Sequence, residues 1–239
     1  MGGGAFSGAS ITVRSGGTPS GNGDLTGPLV VQTGGKLSPG ASPGTISANS
    51  GTWDAGGSYD WEIIDAGGAP GTADLLEFTG TLTNNATAAN PFIVRVKTLN
   101  ANSQPGAMAN FDPRFRYIWT IAQADSLVGF NAGALSLDTT GVVNSTAGGA
   151  FAIQQSGGVV QLTFTPPAPV LTIRPGSGSV TLSWAEVEMQ YLLESATTLD
   201  PSGFWTDLLD QPTITNGTNH LTVPILPAAQ FYRLKIQKP

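Results

Sequence analysis

Val13-Arg14-Ser15-Gly16-Gly17-Thr18 is answered eighteen residues later by Val31-Gln32-Thr33-Gly34-Gly35-Lys36. In each copy a short apolar strand runs into a hydroxyl residue and then a Gly pair. One strand per copy at a period near 20 residues is the signature of a β-solenoid rung. A rung cannot bury its own apolar side, so it must stack on a neighbour. The Gly pairs then fall at rung corners, where the backbone turns with positive φ. After the second copy, Pro39 and Pro43 stiffen the return before Thr45 and Ile46 resume the sheet.

Composition agrees with a chain of short strands and tight turns. Gly (32) and Pro (17) are in excess, and charged residues are only 11%, against roughly 25% in ordinary soluble domains. With 40% apolar residues the chain has enough hydrophobic side chains to fold. Net charge is −6 with only ten Lys and Arg, so no basic stripe exists to bind nucleic acid. Cysteine is absent, which excludes disulfides and thiolate metal sites. No apolar run approaches the roughly 20 residues of a membrane span, so membrane insertion is not expected. The start MGGGAFSGAS has neither a basic segment nor an apolar h-region, so a signal peptide is not expected within it. Met1 ahead of a Gly run reads as the start of an excised fragment.

From Ser58 onward the period is read as lost and longer strands take over. Tyr59-Asp60-Trp61-Glu62-Ile63 alternates strictly, aromatic and Ile side chains on one face and carboxylates on the other. Residues 74–79, 91–99 and 114–121 follow the same rhythm. Phe92, Val94 and Val96 oppose Arg95 and Lys97; Phe115, Tyr117, Trp119 and Ile121 oppose Arg114 and Arg116. Strands are also predicted over 135–137, 150–155 and 159–165, with Gly157-Gly158 as a two-residue hairpin turn. Pro166, Pro167 and Pro169 mark a stiff linker. Beyond it, strands over 170–174, 179–184, 191–195, 221–225 and 230–236 suggest a small β-sandwich with Trp184 in its core. Only residues 185–189 have the composition for a turn or two of helix. The expected division is a solenoid and sheet body over 1–165, a linker over 166–169 and a sandwich over 170–239.

The run VQTGGKLSPGASPGTI resembles the autotransporter-associated β-strand repeat, whose rungs carry Gly-Gly, a Leu, then Ser-Pro-Gly and Pro-Gly-Thr. The segments YDWEIIDAGGAPGTADLLEFTGTL, ATAANPFIVRVKTLN, ANFDPRFRYIWTI, GFNAGALSLDTT and GGAFAIQQSGGVVQLTFTP are similar to the region that follows those rungs in large exported bacterial proteins. The tail, through VTLSW, YLLESATTLD, FWTDL and FYRLKI, is similar to immunoglobulin or fibronectin-like modules of the same proteins. The resemblance implies a bacterial cell-surface or secreted passenger with no defined enzymatic activity.

His220 is the only histidine, which leaves a hydrolytic triad or a His-based metal site little to work with. Carboxylates are the only catalytic supply: Asp54, Asp60, Glu62, Asp65, Asp74 and Glu77 crowd together. Were the chain a glycoside hydrolase, Asp60, Glu62, Asp74 and Glu77 would hold its acid and nucleophile or base. Asp60, Glu62 and Asp65 are the candidate ligands of a calcium ion, which needs only carboxylates, carbonyls and water. The bland alternative is a cross-strand ladder, with Asp60 and Glu62 facing some of Arg95, Lys97, Arg114 and Arg116. Trp and Tyr stack on sugar rings when exposed. Trp61, Tyr117, Trp119 and Trp184 read as core, whereas Trp53 and Trp205, in Gly-flanked contexts, are the glycan-binding candidates.

The expectation is thus an all-β protein: a short right-handed β-solenoid and elongated sheet body, then an immunoglobulin-like sandwich. Its expected role is non-catalytic, in adhesion, surface display or polysaccharide binding, with cell-surface glycans as partners. A glycoside hydrolase and a structural spacer are the alternatives. A solenoid end at residues 2–17 would offer a free strand edge for end-to-end self-association.

Overall fold

The structure is a computed structural model that describes residues 4–8, 10–40, 42–131, 133–199 and 204–236. Strands dominate, and no helix occurs among the described residues. Residues 185–189 form a strand end and an irregular turn instead of the expected helical turn. Contacts divide the chain into two compact units. One comprises Met1–Pro113 and Tyr117–Thr165; the other comprises Arg114–Arg116 and Pro166–Pro239.

The first unit is a coil of parallel strands. Its turns carry β1 (Gly4–Gly8) and β2 (Ile11–Val13), then β3 (Ser20–Leu25) and β4 (Pro28–Val31), then β5 (Lys36–Pro39), β6 (Thr45–Ala48) and β7 (Ser50–Trp53). Larger turns follow with β8 (Ser58–Ile63) and β9 (Leu75–Asn84), then β10 (Phe92–Thr98) and β11 (Tyr117–Val128), and last β12 (Leu135–Gly141). Successive turns stack in three parallel ladders. These are β3-β5-β8-β10-β12, β1-β3-β6-β9-β11 and β2-β4-β7-β9-β11. The hairpin of β13 (Ala150–Ser156) and β14 (Val159–Thr165) closes the stack by antiparallel pairing of β14 with β11. Of the segment expected to offer a free edge, Gly2, Gly3 and Ala9 lie outside the described residues; β1 pairs with β3, and β2 with β4.

The Gly-Gly repeat stacks in register with itself. Val13 lies beside Val31 and Val31 beside Trp53, and the Gly16 amide donates to Gly34 as the Gly34 amide donates to Gly56. Trp53-Asp54-Ala55-Gly56-Gly57 is therefore a third copy of the repeat. The coil does not end at Ser58, as the spacing suggests. Ser58 pairs with Ile93, and Phe92 with Leu135, so the rungs continue with loops inserted between their strands.

Close stacking explains the glycines at the second corner. Gly34 has φ +73°, and a Cβ on Gly35 would stand 2.5 Å from the Val13 carbonyl oxygen. Backbone fixed by two ladders cannot yield to that contact. Gly35→Ala is accordingly expected to destabilise the solenoid by about 2 kcal/mol or more. Urea denaturation followed by circular dichroism measures the loss; an unchanged midpoint would contradict the corner geometry.

Inward positions of every rung fill one core: Val13, Val31, Trp53, Leu37, Tyr59, Trp61, Val94, Ile121 and Leu162 are all buried. Alternation read from the sequence holds for Trp61 and Trp119, which are buried, and Tyr117 packs against the same core. It fails at residues 114–116. The strand begins at Tyr117, and Phe115, expected inside, is 45% exposed.

The second unit is built from two antiparallel sheets that share a small core. One antiparallel sheet runs β15 (Thr172–Pro175), β16 (Ser179–Ala185), β20 (Thr218–Pro224), β19 (Thr213–Thr215). The other runs β18 (Thr206–Asp207), β17 (Tyr191–Ala196), β21 (Phe231–Ile236). Leu182, Trp184, Leu193, Leu221 and Val223 form its small core.

Candidate functional site

The acidic cluster is spent on structure. Asp60 points outward from β8, yet its side chain is only 3% exposed, because three cations converge on it. Lys97 Nζ stands 2.6 Å away, Arg95 at 3.5 Å and Lys36 at 3.7 Å. Arg95 and Lys97 come from the neighbouring strand β10, where Arg95 pairs with Asp60 and Lys97 with Glu62. The ladder extends to Asp138 on β12, 3.8 Å from Arg95; hydrogen bonds from the Thr140 hydroxyl and amide hold that carboxyl below its usual range. Arg114 and Arg116, expected to face these carboxylates, belong to the other unit. Lys36, which sequence reasoning missed, takes part because β5 stacks directly on β8.

Asp74 has a different task. It is fully buried, and its two carboxylate oxygens accept the backbone amides of Gly44 at 2.7 Å and Glu62 at 3.0 Å. The side chain thus bridges two successive rungs where no strand partner is available. Burial pushes its carboxyl well above the usual range; the Gly44 and Glu62 amides oppose this, and the nearby charges of Glu62 and Asp60 add to it. The Tyr59 phenol is raised too, by burial first and then by Asp74 and Glu62. Glu62 is buried with Oε2 lacking a hydrogen-bond partner. Glu77 lies apart on β9, accepting from Gln123 at 2.7 Å and Ser47 at 3.4 Å.

These placements do not make an acid and base flanking a cleft. Asp74 is sealed from solvent and Asp60 is neutralised by its cations. Nor are Asp60, Glu62 and Asp65 brought together as a calcium site. Asp65 accepts from the Gly67 amide and the Asn110 side chain, and no three such groups among the described residues could hold a metal ion.

Trp53 needs correcting as a glycan candidate. It is 0% exposed and stacks on Phe92 with ring centres 4.6 Å apart. The Gly pair that follows it is a rung corner, so Trp53 occupies the inward end of β7 and not a loop tip. Trp205 is half-buried, with the Arg233 guanidinium 4.2 Å above its ring. That guanidinium is itself held by Glu194, at 2.6 Å. Burial works against ionisation of Glu194, but the hydrogen bonds from Lys235 and Arg233 outweigh it and hold the carboxyl below its usual range.

An open cavity of about 810 Å³ lies elsewhere, lined wholly by residues of the sandwich unit. Its walls come from the turn after β16, the start of β17 and the segment before β19. Phe115, Tyr191 and the buried Trp184 are its aromatic lining. Glu186, Gln190, Asp210 and Asn219 supply polar groups. The Tyr191 hydroxyl is buried with no hydrogen-bond partner. Glu188 is anchored, accepting the Arg116 amide while its own amide donates to the Arg114 carbonyl. No single stretch of sequence announces this cavity, because four separated segments, at residues 114–115, 184–193, 208–214 and Asn219, build it. The signal available was the run Trp184 to Tyr191, where acidic and aromatic residues interrupt two good strands.

Compared with known proteins, the chain matches no family model and no curated sequence.

Proposed function

We propose that the protein is a non-catalytic, secreted or cell-surface binding module, and that its sandwich cavity holds a polysaccharide. One observation carries this reading: aromatic and polar side chains line one open cavity, while in the solenoid Asp60 is held by salt bridges and Asp74 by backbone amides. Aromatic rings offer sugars flat apolar area, and amides and carboxylates bond their hydroxyls.

Tyr191→Ala is expected to reduce retention on an insoluble polysaccharide by about tenfold, since it removes aromatic stacking surface from the cavity. Trp205→Ala, outside the cavity, should be retained like the parent. Co-sedimentation over a panel of insoluble glycans measures both. Retention that survives Tyr191→Ala, or no retention on any glycan, would overturn the proposal.

A further inference from the structure

We infer that the sugar polymer suited to this cavity carries free amines, as a deacetylated hexosamine polymer does. This rests on the cavity being a glycan site, and it follows from the charge around it. Three carboxylates, Glu186, Glu188 and Asp210, line the cavity, against one guanidinium, Arg114. Glu186 is half-buried and Asp210 exposed, so neither is sealed from a ligand. Tyr191 adds an aromatic ring, whose negative face attracts cations within about 6 Å, whereas the Phe115 ring already carries the Arg114 guanidinium 5.8 Å from its centre. An ammonium group on a sugar ring meets both features at once: its ring stacks and its charge is matched. A uronate polymer would set carboxylate against carboxylate, on a chain whose net charge is already −6. A neutral glycan would leave the charge unused. The amine supplies the preference and the stacked ring supplies the binding common to all.

Calorimetry on the full chain tests this, at a pH where the amine is protonated. The probes are a glucosamine hexamer, its N-acetylated counterpart, a galacturonate hexamer and a lysine pentapeptide. The glucosamine hexamer is expected to bind about tenfold tighter than the acetylated one, as one or two half-exposed ion pairs and a cation–ring contact allow. Glu186→Gln combined with Asp210→Asn should erase that difference, the glucosamine hexamer losing about tenfold more affinity than the acetylated one. Glu77→Gln combined with Asp125→Asn removes the same charge outside the cavity and should preserve the difference.

Equal affinity for the amine and acetyl forms would overturn the inference and leave the glycan reading standing. So would a preference lost equally in the Glu77 and Asp125 control, which would mark general charge attraction. A lysine peptide binding as tightly, through the same two carboxylates, would make this a basic-peptide site and overturn it as well. If no saccharide binds, the glycan reading fails too.

Discussion

Asp74→Ala is expected to destabilise the solenoid by about 2–5 kcal/mol, because it strands two buried backbone amides at about 1–3 kcal/mol each. Those amides, of Gly44 and Glu62, belong to successive rungs, and the Asp74 carboxylate is the acceptor that joins them. Asp74→Asn keeps one acceptor and turns an NH₂ group toward the second amide, so a loss of about 1–3 kcal/mol is expected. Urea denaturation read by tryptophan fluorescence measures both, since Trp53, Trp61 and Trp119 are core residues of this unit.

The same residue sets a pH dependence whose sign is fixed. Burial raises the folded-state pKa of Asp74 above the ordinary 3.8, so the native state holds that proton more tightly than the unfolded chain. Its contribution to stability is complete below the ordinary value and is lost as pH climbs through the raised one. In Asp74→Asn that decline disappears. A parent whose stability followed the same pH course as the variant would contradict this account of the buried carboxyl.

The second large effect is at Trp53. Trp53→Ala empties a fully buried site and removes a ring stacked on Phe92. About 3–5 kcal/mol is expected from the cavity and lost contacts. Trp53→Phe should cost only about 1–2 kcal/mol, because the indole N–H it removes has no hydrogen-bond partner. Polysaccharide retention by Trp53→Phe should match the parent, and weakened retention in a fully folded Trp53→Phe would return this residue to the binding surface.

Trp53 also shows where the sequence could be read and where it could not. Alternation in residues 59–63 and 92–97 gave the inward faces correctly, because period 2 maps directly onto the two sides of a strand. The corner glycines were legible for the same local reason. Trp53 was misplaced because a Gly-flanked Trp looks like a loop, and the rung spacing stretches from Val13–Val31 to Val31–Trp53. Aligning the three Gly pairs instead of counting a fixed period puts Trp53 in the position of Val31, inside. The ladder of Asp60 with Arg95 and Lys97 was legible from strand faces; Lys36 was not, since it depends on which rung stacks on which. The cavity depends on segments around residues 115, 190 and 212 meeting in space. Local pattern carries no information about such a meeting.

Hydrogen–deuterium exchange of the full chain, with and without a saturating retained polysaccharide, locates the contact surface without any substitution. The account predicts slowed exchange across residues 185–191 and 210–212, which line the sandwich cavity, with residues 60–77 of the solenoid unchanged. Protection confined to residues 60–77 would contradict it, returning the acidic cluster to the ligand and the sandwich to a supporting role.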